Sequence, residues 1–130
     1  MNKQAITSIV QKELPDNHID KNIPIEKLLF KWWVTGRTGR GYRLTDIGYQ
    51  AFIDAKIWSY SYTLNLKTLS EKLNNIKAKD LTLLLGKKIS CPWYIQNTSA
   101  KNTCQVFVYD SKIAMMINLY GTLEEYLNRK

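Results

Sequence analysis

Histidine occurs once in these 130 residues, cysteine twice, proline three times and arginine four times. His18 stands alone in a Pro/Asn/Asp-rich turn that reads as solvated, so a histidine-based metal centre lacks its further ligands. Cys91 and Cys104 are too few for a structural zinc. A symmetric hairpin turning near Ala100 sets Cys91 opposite Tyr109 and Cys104 opposite Gln96. The thiols then do not face each other, and two free thiols suit a reducing compartment. No apolar run reaches the ~20 residues of a membrane span. Met1-Asn2-Lys3-Gln4-Ala5 has neither the apolar segment nor the small-residue site of a signal peptide. The expected location is the cytoplasm, with no membrane partner. No serine carries the local signature of a nucleophile.

Three of the six glycines fall at positions 36, 39 and 41. Gly36-x-x-Gly39-x-Gly41 lacks the Gly-Lys-Ser/Thr of a P-loop, and no buried strand with a following acidic residue makes it a dinucleotide fingerprint. No cofactor is expected. Pro15-Asp16 upstream of Asp54-Ala55-Lys56 resembles a degenerate restriction-type Mg²⁺ site, with carboxylates on the metal and a lysine on the attacking water. Asp54 falls on a helix where that chemistry needs a strand, so a non-enzymatic protein without a metal is the expectation.

What the chain has in excess is positive charge: 19 Lys and Arg against 11 Asp and Glu, a formal net charge of +8. The balance favours a polyanionic partner and says nothing of fold. The length suits one domain, 1–130, that buries a real core.

Periodicity places the elements. Ile6, Ile9, Val10 and Leu14 share a helical face, which Pro15 ends. Ile25, Leu28, Leu29, Trp32 and Trp33 form a second stripe, with Lys27 and Lys31 one turn apart on its solvent side. A short strand near 33–35 and the turn Gly36 to Gly41 follow. Tyr42-Arg43-Leu44 pairs back, and Thr45-Asp46 opens a helix burying Tyr49, Phe52, Ile53 and Ile57. Trp58 to Leu66 alternates strictly and predicts a strand. Thr68-Leu69-Ser70-Glu71 reads as a capping box for a helix with Leu69, Leu73 and Ile76 inward. Leu81 to Leu85 is either a short helix ended by Gly86 or a buried strand. Residues 89–96 and 105–109 form a hairpin. Asp110-Ser111 then starts a helix with an Ile113, Met116, Ile117, Tyr120 stripe, and Thr122-Leu123-Glu124-Glu125 caps a last one. The sum is an α+β fold, about five helices around a small, mostly antiparallel sheet.

Three of the four arginines, Arg37, Arg40 and Arg43, lie within seven residues on the glycine-rich turn. In residues 33–57, Gly39-Arg40-Gly41, Tyr42-Arg43-Leu44-Thr45 and Asp46-Ile47-Gly48 resemble the tip, return strand and following helix of the wing in winged-helix DNA-binding domains, particularly PadR- and MarR-like regulators. The resemblance implies a winged-helix-like half over 1–57 and a further α+β half over 58–130. It makes the helix before the turn the groove reader, with Lys27, Phe30 and Lys31 exposed. Arg37, Arg40 and Arg43 then contact phosphates, with Lys27 and Lys31 beside them. Two helices precede the turn where the family has three, and the reader helix offers few side chains for base edges. The shortage of base-edge side chains argues for non-specific or structure-directed binding, weakly sequence-specific on DNA, over an operator-specific repressor.

Trp58, Tyr60 and Tyr62 have the spacing of sheet core more than of a base-stacking platform. The Lys/Asn/Ile-rich make-up, with Cys91-Pro92-Trp93-Tyr94-Ile95 and the 42–48 string, resembles small proteins of tailed bacteriophages. That implies a role in infection without saying which; joined to the basic turn, the expectation is a non-enzymatic nucleic-acid-binding protein of the host cytoplasm, such as a phage transcription or replication accessory factor. The alternative is a protein-interaction module, a virion component or host-polymerase modulator, bound to a host or phage protein.

Overall fold

Strict alternation along two neighbouring strands divides the apolar residues of this chain between two faces of one sheet. The computed structural model describes residues 3–32, 37–38, 41–57, 60–73, 78–97 and 102–129. In chain order the elements are α1 (Lys3–Glu13), α2 (Ile25–Trp32), β1 (Arg37–Thr38), β2 (Gly41–Arg43), α3 (Asp46–Asp54), β3 (Tyr60–Asn65), α4 (Leu66–Leu73), α5 (Ala78–Lys88), β4 (Pro92–Asn97), β5 (Thr103–Val108), α6 (Ser111–Tyr120) and α7 (Leu123–Leu127). The fold is α+β, with seven helices among the described residues.

The strands form one sheet in the order β1-β2-β4-β5-β3. Every neighbouring pair is antiparallel except β2 with β4, where Tyr42 lies beside Pro92 and Arg43 beside Trp93. In β4, Trp93 and Tyr94 point to opposite faces and are both buried. On the Trp93 side, Cys104, Val106 and Val108 join Leu64, Leu69 of α4, Leu85 of α5, Ile117 of α6 and Tyr126 of α7 in one core. On the Tyr94 side, Ile6 and Val10 of α1, Leu28 of α2 and Phe52 of α3 form the other, with Phe107 and Tyr109 packed against it. The first three helices therefore cover one face and the last four the other.

The β4–β5 register differs by one residue from the symmetric expectation. Cys104 lies opposite Asn97, and Gln96 opposite Gln105. The observed pairing sets Ile95 against Val106 and Trp93 against Val108. A one-residue slip would set inward apolar residues against outward polar ones, so the face pattern, rather than loop symmetry, decides the register. Both cysteines are free and buried.

The cap of α4 also differs. The helix starts at Leu66, and the Thr68 N–H donates to Asn65 Oδ1 at 3.0 Å. Asn65 is thus the capping residue, three positions before the Thr68 expected. It ends β3 and begins α4 with no loop, and its own N–H donates to Oε1 of the buried Glu124 at 2.6 Å. Leu81 to Leu85 is helical, and Gly86 lies inside α5 rather than at its end. The caps at Thr45, Asp110 and Thr122 are as expected. Gly121 ends α6 at φ +94°, a conformation side chains rarely adopt. Ile9, Ile53, Met116 and Tyr120, expected inward, are exposed, because each helix packs into its core along a stripe narrower than its apolar pattern. Tyr60 and Tyr62 pack against the first core as expected, while Trp33, Trp58 and Ile76 lie outside the described residues.

Candidate nucleic-acid interface

Helix α2 runs toward the basic turn, and Pro24 starts it: the Lys27 and Leu28 N–H groups both donate to the Pro24 carbonyl. Leu28 anchors the helix in the second core, which turns Lys27 and Phe30 to solvent. Phe30 is 84% exposed, an unusual position for a phenyl ring beside a lysine one turn away.

Lys31 departs from the expected free stripe. Its Nζ lies 2.6 Å from Oδ1 of Asp20, a carboxylate only 5% exposed, while Lys31 itself keeps 39% of its side chain exposed. A buried carboxylate needs such a partner. Of Lys31's three N–H donors at least one is therefore committed to the fold.

The loop carrying Asp20 is bound on all sides. Gln11 Nε2 donates to the Asp20 and Ile23 carbonyls, and Lys21 Nζ to those of Lys12 and Leu14. His18, expected to be solvated, is held at both ring nitrogens. Nδ1 accepts the Asp20 N–H at 3.1 Å, and Nε2 lies 2.9 Å from Asp54 Oδ2. An acceptor at Nδ1 leaves the proton on Nε2, which donates to Asp54. Gln50 Nε2 donates to the other Asp54 oxygen at 2.9 Å. These two hydrogen bonds, His18 first, hold the Asp54 carboxyl below the usual carboxylate range. The network ties α1, the loop, α2 and α3 together.

Asp54 thus spends both oxygens on His18 and Gln50, while Asp16, exposed, lies 4.0 Å from Lys21. Among the described residues no three His, Cys, Asp or Glu groups converge to hold a metal ion.

The turn itself begins and ends on a short hairpin. Arg37, described by its backbone position, lies opposite Tyr42, and Arg40 lies outside the described residues. Arg43 is half-buried where β2 joins β4, and α5 packs on β1 and β2. The Leu44 N–H donates to the Trp93 carbonyl at 2.7 Å, so the return strand is bonded into the sheet. Thr45 Oγ1 then caps α3 by accepting the Gly48 N–H. Tyr94 donates its hydroxyl to Asp46 in the first turn of α3 and stacks on Tyr49, ring centroids 4.3 Å apart. Burial first, then the Asp46 carboxylate, pushes the Tyr94 hydroxyl up to about 12.

The five basic residues singled out therefore divide. Lys27 is free on the surface of α2, Lys31 is shared with Asp20, and Arg43 stands at the root of the hairpin. Sequence reasoning missed Asp20, the His18–Asp54–Gln50 link and the Tyr94–Asp46 bond. His18 and Asp54 are 36 positions apart, and no local pattern joins them. No family model, curated protein or solved structure matches the chain. Among the described residues, no helix is long and apolar enough to cross a membrane.

Proposed function

We propose that the protein binds nucleic acid, DNA by preference and with little sequence selectivity, through α2 and the basic hairpin. The observation that carries the reading is the continuity of a rigid mount with a cationic turn. Helix α2, fixed through Asp20 and Leu28, presents Lys27 and Phe30 outward and leads directly into the segment with Arg37, Arg40 and Arg43. Guanidinium groups bind phosphates bidentately, and an exposed phenyl ring on α2 suits a base or a groove wall. The net charge of +8 adds long-range attraction. The role is non-enzymatic, that of an accessory factor in viral transcription or replication. Fluorescence anisotropy on labelled duplex and single-stranded DNA at low salt tests it. Saturable binding, tighter for duplex, is expected; flat curves on both would refute the reading.

A second reading, a protein-interaction module, sets the same basic surface against an acidic patch of a host or phage protein, which the net charge of +8 also favours. Pull-down from a host extract after nuclease treatment separates the two, since a nucleic-acid binder loses its partners there.

A further inference from the structure

Helix α6 turns Ile113, Ala114 and Ile117 into the first core and leaves its opposite side to solvent. That outer side carries Lys112, Met115, Met116 and Leu119, spaced i, i+3, i+4, i+7, with Tyr120 beside them. Leu119 is 80% and Met115 63% exposed, and Met116 and Tyr120 are exposed as well. No acidic residue occurs in Ser111–Tyr120. Four exposed apolar side chains within six positions offer roughly 450 Å² of surface, at the scale of the largest apolar patch a monomer carries.

We infer that this face of α6 is a dimer interface, occupied by α6 of a second copy running antiparallel. The spacing is self-complementary under a two-fold axis. With the axis between Met115 and Met116, Met115 meets Met116 of the second copy, and Lys112 meets its Leu119. The same four positions are regenerated on both sides, as an isologous contact requires. The seam has the i, i+3, i+4, i+7 pattern by which helices pack along their length. Charge agrees with the antiparallel sense. Each Lys112 lays its aliphatic stem over Leu119 and carries its ammonium to the C-terminal end of the other α6, where the helix carbonyls are negative and the Tyr120 ring is exposed. A parallel pairing sets Lys112 against Lys112. The two patches together offer about 900 Å² at most before any rim residue is counted, just under the ~1,000 Å² at which specific interfaces begin.

Sedimentation equilibrium on the purified chain, without nucleic acid, tests the inference independently of the proposed function. The mass is expected to rise from 15.2 kDa toward twice that value with concentration. The rise should steepen with added salt, because salt screens the repulsion between two chains of +8. Leu119→Glu should weaken the association at least about tenfold, at an unchanged melting temperature in dilute solution, where both chains are monomers and the side chain faces solvent. Lys112→Ala should weaken it too, by uncovering Leu119. A chain that stays at 15.2 kDa throughout overturns the inference, as does a Leu119→Glu variant that associates like the original. Stronger association of Lys112→Ala overturns the antiparallel arrangement.

Discussion

Lys31 and Asp20 form an ion pair, Nζ to Oδ1 at 2.6 Å, with the carboxylate almost wholly buried and the ammonium on its rim. The pair fixes α2 to the loop before it, and so joins the stability of the fold to the basic surface.

Lys27 and Lys31 therefore separate by phenotype. Lys27→Ala should leave stability unchanged, weaken DNA binding and reduce the salt slope by about one. Lys31→Ala should cost about 1–3 kcal/mol in urea unfolding, because Asp20 is left without its partner. Pairing Lys31→Ala with Asp20→Asn should recover part of that loss, which a double-mutant cycle measures.

The cap of α4 supplies a second contrast. Asn65→Ala should cost about 1 kcal/mol, whereas Thr68→Ala, at a position already inside the helix, should stay within about 0.5 kcal/mol. Denaturant unfolding of the two variants distinguishes them. Equal losses would return the cap to Thr68.

Asp54 gives an acid-side test. Its carboxyl is held low by hydrogen bonds from His18 and Gln50. The associated stability is present above the ordinary carboxylate range and is lost as pH falls through the lowered value. His18→Ala should move the Asp54 titration upward toward the ordinary range, as read from its side-chain carbon shift by NMR. Gln50→Ala should do so to a smaller extent.

Tyr94 gives the alkaline counterpart. With its hydroxyl pushed up to about 12, it stays neutral in the folded state where an unfolded tyrosine ionises. Its contribution is full below the ordinary tyrosine range and is lost as pH rises through about 12. Tyr94→Phe should keep the stack on Tyr49, cost about 1–3 kcal/mol near neutral pH through the lost bond to Asp46, and flatten the fall in stability at high pH.

The fold was legible where a local rule decides it. The period of Ile25, Leu28 and Leu29, the alternation of Tyr60 to Leu64, and the hydroxyl or carboxylate caps at Thr45, Asp110 and Thr122 each state an element within a few residues. What escaped depends on distant residues. The β4–β5 register follows from matching Ile95 and Trp93 to Val106 and Val108, which outweighs the symmetry of the loop. Asn65 rather than Thr68 caps α4 because β3 runs straight into the helix and Glu124, 59 positions on, takes the Asn65 N–H. The parallel pairing of β2 with β4 has no local signature either. At the candidate site, the outward position of Lys27 was readable from helical spacing, and that of Phe30 only from the resemblance to a winged helix. The restraint on Lys31 was not, because a buried aspartate in a polar loop looks like any other loop aspartate.

The central claim is that the α2–hairpin surface holds nucleic-acid phosphates. Anisotropy titration of the Arg37/Arg40/Arg43→Ala variant beside the original chain, on one duplex across a salt series, tests it most directly. Affinity should fall at least about tenfold, and the slope of log affinity against log salt should drop by about three, one for each phosphate contact removed. Equal affinity and equal slope for the two proteins would contradict the account.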